Sequence, residues 1–527
     1  MLFNSPEFLF CYLPIVLVGF ALLGRWGRRA VVAWLAIASL AFYAYWRPAF
    51  LLLLCGSILV NYATAALIWR NRERPGLLKL WMIIGIALNL GALCFFKYLF
   101  PFLHFVRGAA GFHFSVGSVI LPLGISFFTF TQIAYLVDLA QGAAEPQDFV
   151  SYVLFVTFFP HLIAGPILHH GEIMPQFAEG RDFSLKANDV ALGLSWFVLG
   201  LAKKVLIADR LAPFADTTFA HPLGLSVVDS WLGVLNYAMQ LYFDFSGYSD
   251  MALGLARMFS IELPINFNSP YKADNIIEFW QRWHITLTRY LTLYLYNPCS
   301  MAINRRRAAA GKSNSRKATK TIAGFGELVA LPTVLTMFLA GIWHGAGLQF
   351  ILFGTLHGIY ISANHAWRIF VPEKSAWGKL FGWRPLSLLM TFLAVCVAQV
   401  FFRSTSTHDA FALLAGMVGL NGLGVTHVTA ASAVSHSWLA HSTSLARSAP
   451  LLPSTAAIVF LLFPIVWFLP NTQEILGQAR VARREIVNLT YRIAWQPTVF
   501  WATSLALVFI AVLWRMTNTS TFLYFQF

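Results

Sequence analysis

Charge is scarce in this chain: Asp, Glu, Lys and Arg together make up 11% of its 527 residues. Soluble domains carry about 25%, so the shortage excludes an ordinary water-facing fold. Paired cysteines are missing too. Cys11, Cys55, Cys94, Cys299 and Cys396 are scattered, mostly in apolar surroundings, without the spacing of a zinc site, a haem attachment or a disulfide framework, and are expected to be small core residues. Alternation is absent: the apolar runs are continuous, which excludes the two-residue pattern of a membrane β-barrel. No repeat of fixed period recurs and no break in composition marks off a soluble part, so one membrane domain over residues 1–527 is expected.

What fills the chain instead is hydrophobicity, at 58% of residues with 16% aromatic. It recurs from end to end, in about fourteen stretches that approach the ~20 residues needed to cross a ~30 Å hydrocarbon layer. The first run, 8–24, has Glu7 before it and Arg25, Arg28 and Arg29 after it. A cleavable signal peptide has the opposite charge order, so a retained first helix is expected.

The net charge of +15 raises the question of a nucleic-acid partner. The basic residues, however, cluster at the ends of apolar runs, where they orient a membrane protein. The blocks are Arg25 to Arg29, Arg70 to Lys79, Lys203 to Arg210, Arg305 to Lys320 and Arg480 to Arg492. If all face the cytoplasm, each interval holds an even number of crossings: 30–46 and 49–69; then 80–103, 118–138, 150–166 and 188–202; then 231–256 and 276–298; then 326–345, 349–370, 385–403 and 454–470. A last helix at 499–516 leaves the C-terminus outside. Two water-exposed loops are expected, a basic cytoplasmic one at 302–320 and a polar outer one at 404–453. The outer loop's His427, His436 and His441 lack the i, i+4 pairing of a helical metal site, and no metal is expected.

Polar groups inside apolar runs carry the functional information, because an ionisable side chain at membrane depth costs about 2.5–3.5 kcal/mol on insertion scales. In 121–138, Pro122, Gly124, Ser126, Thr129 and Gln132 interrupt an aromatic helix, and close helix packing accounts for them. In 158–170, two prolines and His161 point to a broken or re-entrant element, with His161 packed and hydrogen-bonded. In 237–259, Gln240 and Asp244 share a helical face, as do Ser246 and Asp250; a structural ion pair or orienting role is favoured over direct catalysis. In 275–298, Glu278 and Arg282 form an i, i+4 pair, which leaves His284 as the position hardest to explain by packing. In GIWHGAG (341–347), Gly341, Gly345 and Gly347 surround His344, so the backbone can bend and a substrate can come close. A lone histidine in an apolar run is more often a satisfied core residue, and spacing by itself does not overturn that. A second His-Gly pair, His357 and Gly358, has no distinguishing neighbour.

Taken in order, LPLGISFFTF (121–130), FFPHLIAGPI (158–167) with MPQF (174–177), GLAKKVLIADR (200–210), YFDFSGYSDMALGLARMF (242–259), LPINFNSPY (263–271), FWQRWHITLTRY (279–290), GIWHGAG and FLYFQF (522–527) resemble the membrane-bound O-acyltransferase family, in particular its bacterial alginate O-acetyltransferase branch. The resemblance covers most of the chain between residues 120 and 405. Relatives commonly follow YLY with an IPLGG-like turn, whereas residues 294–301 here are YLYNPCSM, which bears on substrate or partner rather than on reaction class.

The resemblance implies an all-α, polytopic transmembrane bundle with broken or re-entrant helices around a central acyl-transfer tunnel. It puts the family's two membrane histidines on His284 and His344, the latter aligned with the essential one. His344 is expected to act as general base on the acceptor hydroxyl, and His284 to orient substrate or stabilise charge. Substrate contact is expected from Trp283, Trp343, Asp244, Tyr248, Asn268 and Arg282. The implied donor is acetyl-coenzyme A from the cytoplasm, with no permanently bound cofactor; its phosphates would be drawn to Lys203 and Lys204, although topology also explains those lysines. The acceptor is an extracytoplasmic polysaccharide or a periplasmic partner that completes O-acetylation, at a bacterial inner membrane. D-alanyl transfer to teichoic acid is the alternative within the family. Translocation of a lipid-linked sugar and scaffolding of a secretion complex are the alternatives outside it.

Overall fold

The computed structural model describes residues 1–110, 117, 119–178, 182–423, 451–476, 495–516 and 522–523. The block Arg480 to Arg492, the histidines His427, His436 and His441, most of the loop 404–453 and residues 524–527 lie outside the described residues. Among the described residues the fold is helical throughout, with no β-structure beyond an isolated bridge between Phe267 and Trp283. Among the described residues seven helices are long and apolar enough to cross a membrane: Phe8–Trp26, Arg28–Trp46, Pro48–Arg70, Pro75–Arg107, Ala187–Ala220, Ile322–His344 and Arg384–Arg403. Shorter apolar helices cover Ile125–Ala140, Ala456–Phe468 and Val499–Arg515. This is the polytopic all-α bundle expected from the sequence.

Large apolar side chains such as Ile37, Leu52, Leu88 and Phe105 stand exposed along these helices, which suits a surface bathed in lipid. The cysteines correct one expectation. Cys396 is buried, but Cys11 and Cys94 are exposed, and Cys55 and Cys299 are half-buried. An apolar neighbourhood in the sequence does not separate core from lipid-facing surface, because both are apolar.

The bundle is organised around the helix Val227–Met258, which runs antiparallel to Ala187–Ala220. Glycines set that contact. A Cβ on Gly200 would lie 2.6 Å from the Gly247 carbonyl and 2.7 Å from the Met251 nitrogen, and one on Gly193 would lie 2.6 Å from the Gly254 carbonyl. Where lipid removes the hydrophobic drive between helices, backbones this close gain stability from packing.

Ion pairs collect one set of helix ends at one face. Arg28 meets Asp148 at 2.9 Å, Arg257 meets Asp189 at 2.7 Å, and Arg289 pairs with Glu172. At the opposite end of the bundle Arg403 pairs with Asp216 at 2.7 Å.

These contacts correct the expected topology twice. The segment 150–166 is not a crossing. Its helix Phe149–Thr157 is capped by Asp148, breaks at Phe158 ahead of Pro160, and the chain returns so that His170 Nε2 lies 3.2 Å from the Ala143 carbonyl. It is a re-entrant hairpin, and His161 sits buried in it against the Phe155 carbonyl at 3.1 Å. Lys203 and Lys204, at the head of the block Lys203 to Arg210, are not surface anchors either, whereas Arg210 is exposed. Lys203 follows Asp189 by fourteen residues of one continuous helix, about 21 Å at 1.5 Å per residue, which carries it into the bundle. A paired cation inside a bundle does not act as an orienting charge, and the sequence count treats both kinds alike.

We expect Gly200→Val to force the two central helices apart and to destabilise the protein by about 1–3 kcal/mol or more, as overpacked cores do. Gly56, whose Cβ would meet nothing within 4 Å, provides the control. Thermal unfolding in detergent should fall by several degrees for Gly200→Val and stay unchanged for Gly56→Val; equal midpoints would refute the close contact.

Candidate active site

His344 is the last residue of its helix, and Gly345 continues in extended conformation. A helix that ends inside a membrane leaves carbonyls without intrahelical partners. Two groups from Pro75–Arg107 supply them: Lys97 Nζ donates to the Trp343 carbonyl at 2.6 Å, and the Tyr98 hydroxyl donates to the Ile342 carbonyl at 2.7 Å. The ammonium also sits at the negative end of the helix dipole, where a cation is favoured. Lys97 carries the same sequence signal as the other polar clusters, a lone cation inside the apolar run 80–103.

His344 is 7% exposed as a residue, and its ring lies against Trp343, Phe353 and Phe402. It lines two cavities. One, of about 70 Å³, is bounded by Lys97, Leu121 to Phe127, Ile163 and Trp343; the other, of about 30 Å³, is bounded by Trp283, His284, Phe353, His357 and Phe402 among others. The imidazole borders both of these small cavities.

His284 occupies the break between the helices Ile276–Arg282 and Ile285–Leu291, in left-handed backbone conformation at φ 44°, ψ 54°. That region is unusual for a non-glycine residue and is maintained by its surroundings. The surroundings here are a chain of hydrogen bonds. The Ile167 N–H donates to Thr286 Oγ1 (3.0 Å), and the Thr286 hydroxyl and N–H both donate to Asn266 Oδ1 (3.0 and 3.3 Å). Asn266 Oδ1 is thereby fixed as the acceptor facing His284 Nδ1 at 2.9 Å. A neutral His284 thus carries its proton on Nδ1 and its lone pair on Nε2. Asn266 and Thr286 were not legible as site residues, although Asn266 lies two positions before the expected Asn268.

The other expected site residues divide. Trp283 and Trp343 line the two cavities, Trp343 stacking on Phe130 at 5.1 Å. Arg282 is held by Glu278 at 2.7 Å and also donates to the Asn268 carbonyl, while the Asn268 side chain accepts from Asn471. Both serve local structure. Asp244 meets Lys204 at 2.6 Å and accepts the Leu523 N–H at 2.9 Å; Tyr248 lies edge-on to Phe522 at 4.4 Å. Neither lines the cavities beside His344. Lys203 is paired with Asp250 at 2.6 Å, and Lys204 with both Asp244 and Asp209. Burial without these carboxylates would be prohibitive for an ammonium group, and neither lysine lines the cavities beside His344.

His357 was passed over in the sequence. It is buried, lines the smaller cavity with His284 and His344, and accepts the Trp280 indole N–H at 3.2 Å. Its signal was the i+3 and i+4 stripe of Leu348–Phe370 that also carries Phe353, Tyr360 and Ile361.

A second polar cluster lies apart from the cavities. Asp138 Oδ2 meets Tyr294 Oη at 2.6 Å, His169 Nε2 at 2.9 Å and His170 Nδ1 at 3.1 Å. The three His and Asp ligand atoms lie within 4.8 Å of one another. However, His169 Nδ1 accepts the Gly171 N–H, so its neutral ring turns a proton, not a lone pair, toward Asp138. His170 Nε2 faces the Ala143 carbonyl, which can only accept, so the neutral His170 ring turns a lone pair toward Asp138; the three groups fasten the re-entrant hairpin to the end of Ile125–Ala140.

A family model described as MBOAT, membrane-bound O-acyltransferase family, matches residues 118–311. The chain is 42% identical over 465 residues to the peptidoglycan O-acetyltransferase of Helicobacter pylori, covering 81% of this chain and 82% of that protein. It is 36% identical over 424 residues to the Pseudomonas aeruginosa protein named probable alginate O-acetylase AlgI, covering 79% and 75%. To the teichoic acid D-alanyltransferase of Bacillus subtilis it is 25% identical over 350 residues, covering 65% and 82%.

Removing one partner of a buried ion pair leaves an uncompensated charge and costs about 3–5 kcal/mol. Asp244→Asn is expected to destabilise the protein on that scale, and adding Lys204→Met to recover part of the loss. Thermal unfolding of the two single variants and the double variant measures this; strictly additive losses would mean that the pair is not coupled.

Proposed function

The chain belongs to the membrane-bound O-acyltransferase family and is an O-acyltransferase; from that premise we propose that it takes acetyl from cytoplasmic acetyl-coenzyme A and delivers it through the bundle to a hydroxyl beyond the bacterial inner membrane. One observation carries this reading: an imidazole at the end of a helix lines two cavities at once. A reaction that joins substrates arriving from opposite sides requires a base reachable from both.

In this mechanism the acceptor O–H gives its proton to His344 while its oxygen attacks the thioester carbonyl carbon. The tetrahedral intermediate collapses by breaking the C–S bond. The thiolate leaves, takes the proton from the His344 imidazolium and departs as free thiol, so atoms and charge balance. His284, with Nε2 as its lone-pair nitrogen, is suited to accept a hydrogen bond from a substrate and orient it. Trp283 and Trp343 exclude water from the reacting groups.

The acceptor we favour is a cell-surface glycan reached through a periplasmic partner. Identity of 42% to a peptidoglycan O-acetyltransferase, against 36% to the alginate protein, supports a wall glycan ahead of alginate. D-alanyl transfer has support at 25% identity. The donor's phosphates are not assigned to Lys203 and Lys204, whose charges are taken by Asp250 and Asp244.

Purified protein in proteoliposomes given acetyl-labelled coenzyme A should release or transfer acetyl, and His344→Ala should lower that rate by about 10²- to 10⁴-fold, the usual share of a general base. His284→Ala should give a large loss as well. A folded His344→Ala protein that turns over at the wild-type rate would remove His344 as the base, and normal turnover by His284→Ala would reduce His284 to packing.

A further inference from the structure

His357 reaches the chamber because two helices come together through glycine. A Cβ on Gly354 would stand 2.8 Å from the Cα of Gly341, and one on Gly341 would stand 3.1 Å from the Cα of Gly354. Leu348–Phe370 therefore packs directly on Ile322–His344. Phe353 touches both imidazoles, with ring centroids 4.7 Å from His357 and 5.8 Å from His344. His284, His344 and His357 then border one cavity of about 30 Å³, room for little more than a single small group.

The hydrogen-bond partners give two of these imidazoles opposite polarity. An indole N–H only donates, so the contact from Trp280 Nε1 at 3.2 Å makes His357 Nδ1 the acceptor and puts the proton of the neutral ring on Nε2. His284 is the reverse: its Nδ1–H donates to Asn266 Oδ1, and its lone pair is on Nε2. Packing holds the His357 ring in that orientation, since Phe279 lies parallel to it at 4° and Trp280 crosses it at 85°. A donating imidazole and an accepting one thus line the same small space beside His344.

Acyl transfer needs such a donor. When an oxygen nucleophile adds to a thioester, the carbonyl oxygen becomes an oxyanion, and a fixed N–H in a water-poor site stabilises it without reorganising. We propose that His357 is a catalytic residue, its Nε2–H donating to the thioester carbonyl oxygen and to the oxyanion that replaces it, with Trp280 as the positioning residue that fixes its tautomer. The proton on Nε2 stays there throughout. The acceptor proton goes to His344 and the C–S bond breaks as described above. This assignment rests on the acyl-transfer reading of the site, and not on the identity of the donor or the glycan.

The test uses the full-length protein in two settings. In proteoliposomes with acetyl-coenzyme A, His357→Ala is expected to lower kcat by about 100-fold or more, the effect of losing one oxyanion donor, with KM for acetyl-coenzyme A changed by less than about threefold, since the contact strengthens only in the transition state. His357→Gln, whose amide can put an N–H near the same place, should recover at least a tenth of wild-type kcat. Trp280→Phe should lower kcat severalfold in the wild-type background and have no further effect in His357→Ala, because its action passes through that ring. Detergent melting temperatures and elution profiles identify variants that fail to fold.

In cells, base-labile acyl ester on the surface glycan reports transfer whichever donor is used. If purified wild type ignores acetyl-coenzyme A while cells still acylate through His344, the donor named under Proposed function is wrong, and the cellular series tests His357. The proposal is overturned if folded His357→Ala keeps wild-type transfer, if Gln and Ala are equally impaired while both fold normally, or if Trp280→Phe loses as much activity in the Ala background as in the wild type.

Discussion

The glycine contact between Ala187–Ala220 and Val227–Met258 is the constraint on which the rest of the molecule depends. Only at that separation do Lys203 and Lys204 reach Asp250 and Asp244 at 2.6 Å each, and only with those pairs made can two ammonium groups and two carboxylates stay inside an apolar bundle. Val227–Met258, anchored in this way along one side, offers its other side to the chamber through Leu241 and Phe245. The charges fix the central helix in register, and none of the four lines the cavities beside His344.

The same requirement governs the broken elements. Each helix end taken below the membrane surface needs partners for its orphan carbonyls and N–H groups, and each is supplied from another part of the chain. Lys97 and Tyr98 cap the helix ending at His344. Asn266 organises the break before Ile285–Leu291, accepting the Thr286 N–H and facing His284 Nδ1. Asp138 collects Tyr294, His169 and His170 where the hairpin returns to the end of Ile125–Ala140. Irregular backbone persists at depth because neighbouring side chains replace the water it would otherwise need.

A chamber assembled from such breaks has fixed polarity. Its imidazoles are oriented by side chains that themselves have single possible roles: an indole can only donate, and an amide oxygen already receiving a backbone N–H can only accept. Catalytic assignment therefore follows from the partners behind each ring more than from the rings. The partners behind His284 and His357 come from Asn266 and Trp280, eighteen and seventy-seven residues away in the chain.

The amino-acid sequence by itself determined that this is a membrane-embedded helical bundle, because the scarcity of charge and the length of the apolar runs leave no other solvent for it. It also made His284, the ion-pair character of Glu278 with Arg282 and of Asp244, and the irregular element around Pro160 legible, since each involves a polar or helix-breaking residue conspicuous against an apolar background; His344 was singled out by the family resemblance of GIWHGAG rather than by its spacing. Tertiary structure decided which basic residues orient the chain and which are paired within it, as at Lys204; which cysteines meet lipid; and whether 150–166 crosses or returns. It also decided that His357, Asn266 and Lys97 belong with His344. A polar group's meaning in a bilayer depends on what lies across from it, and periodicity along one helix carries no information about the facing helix.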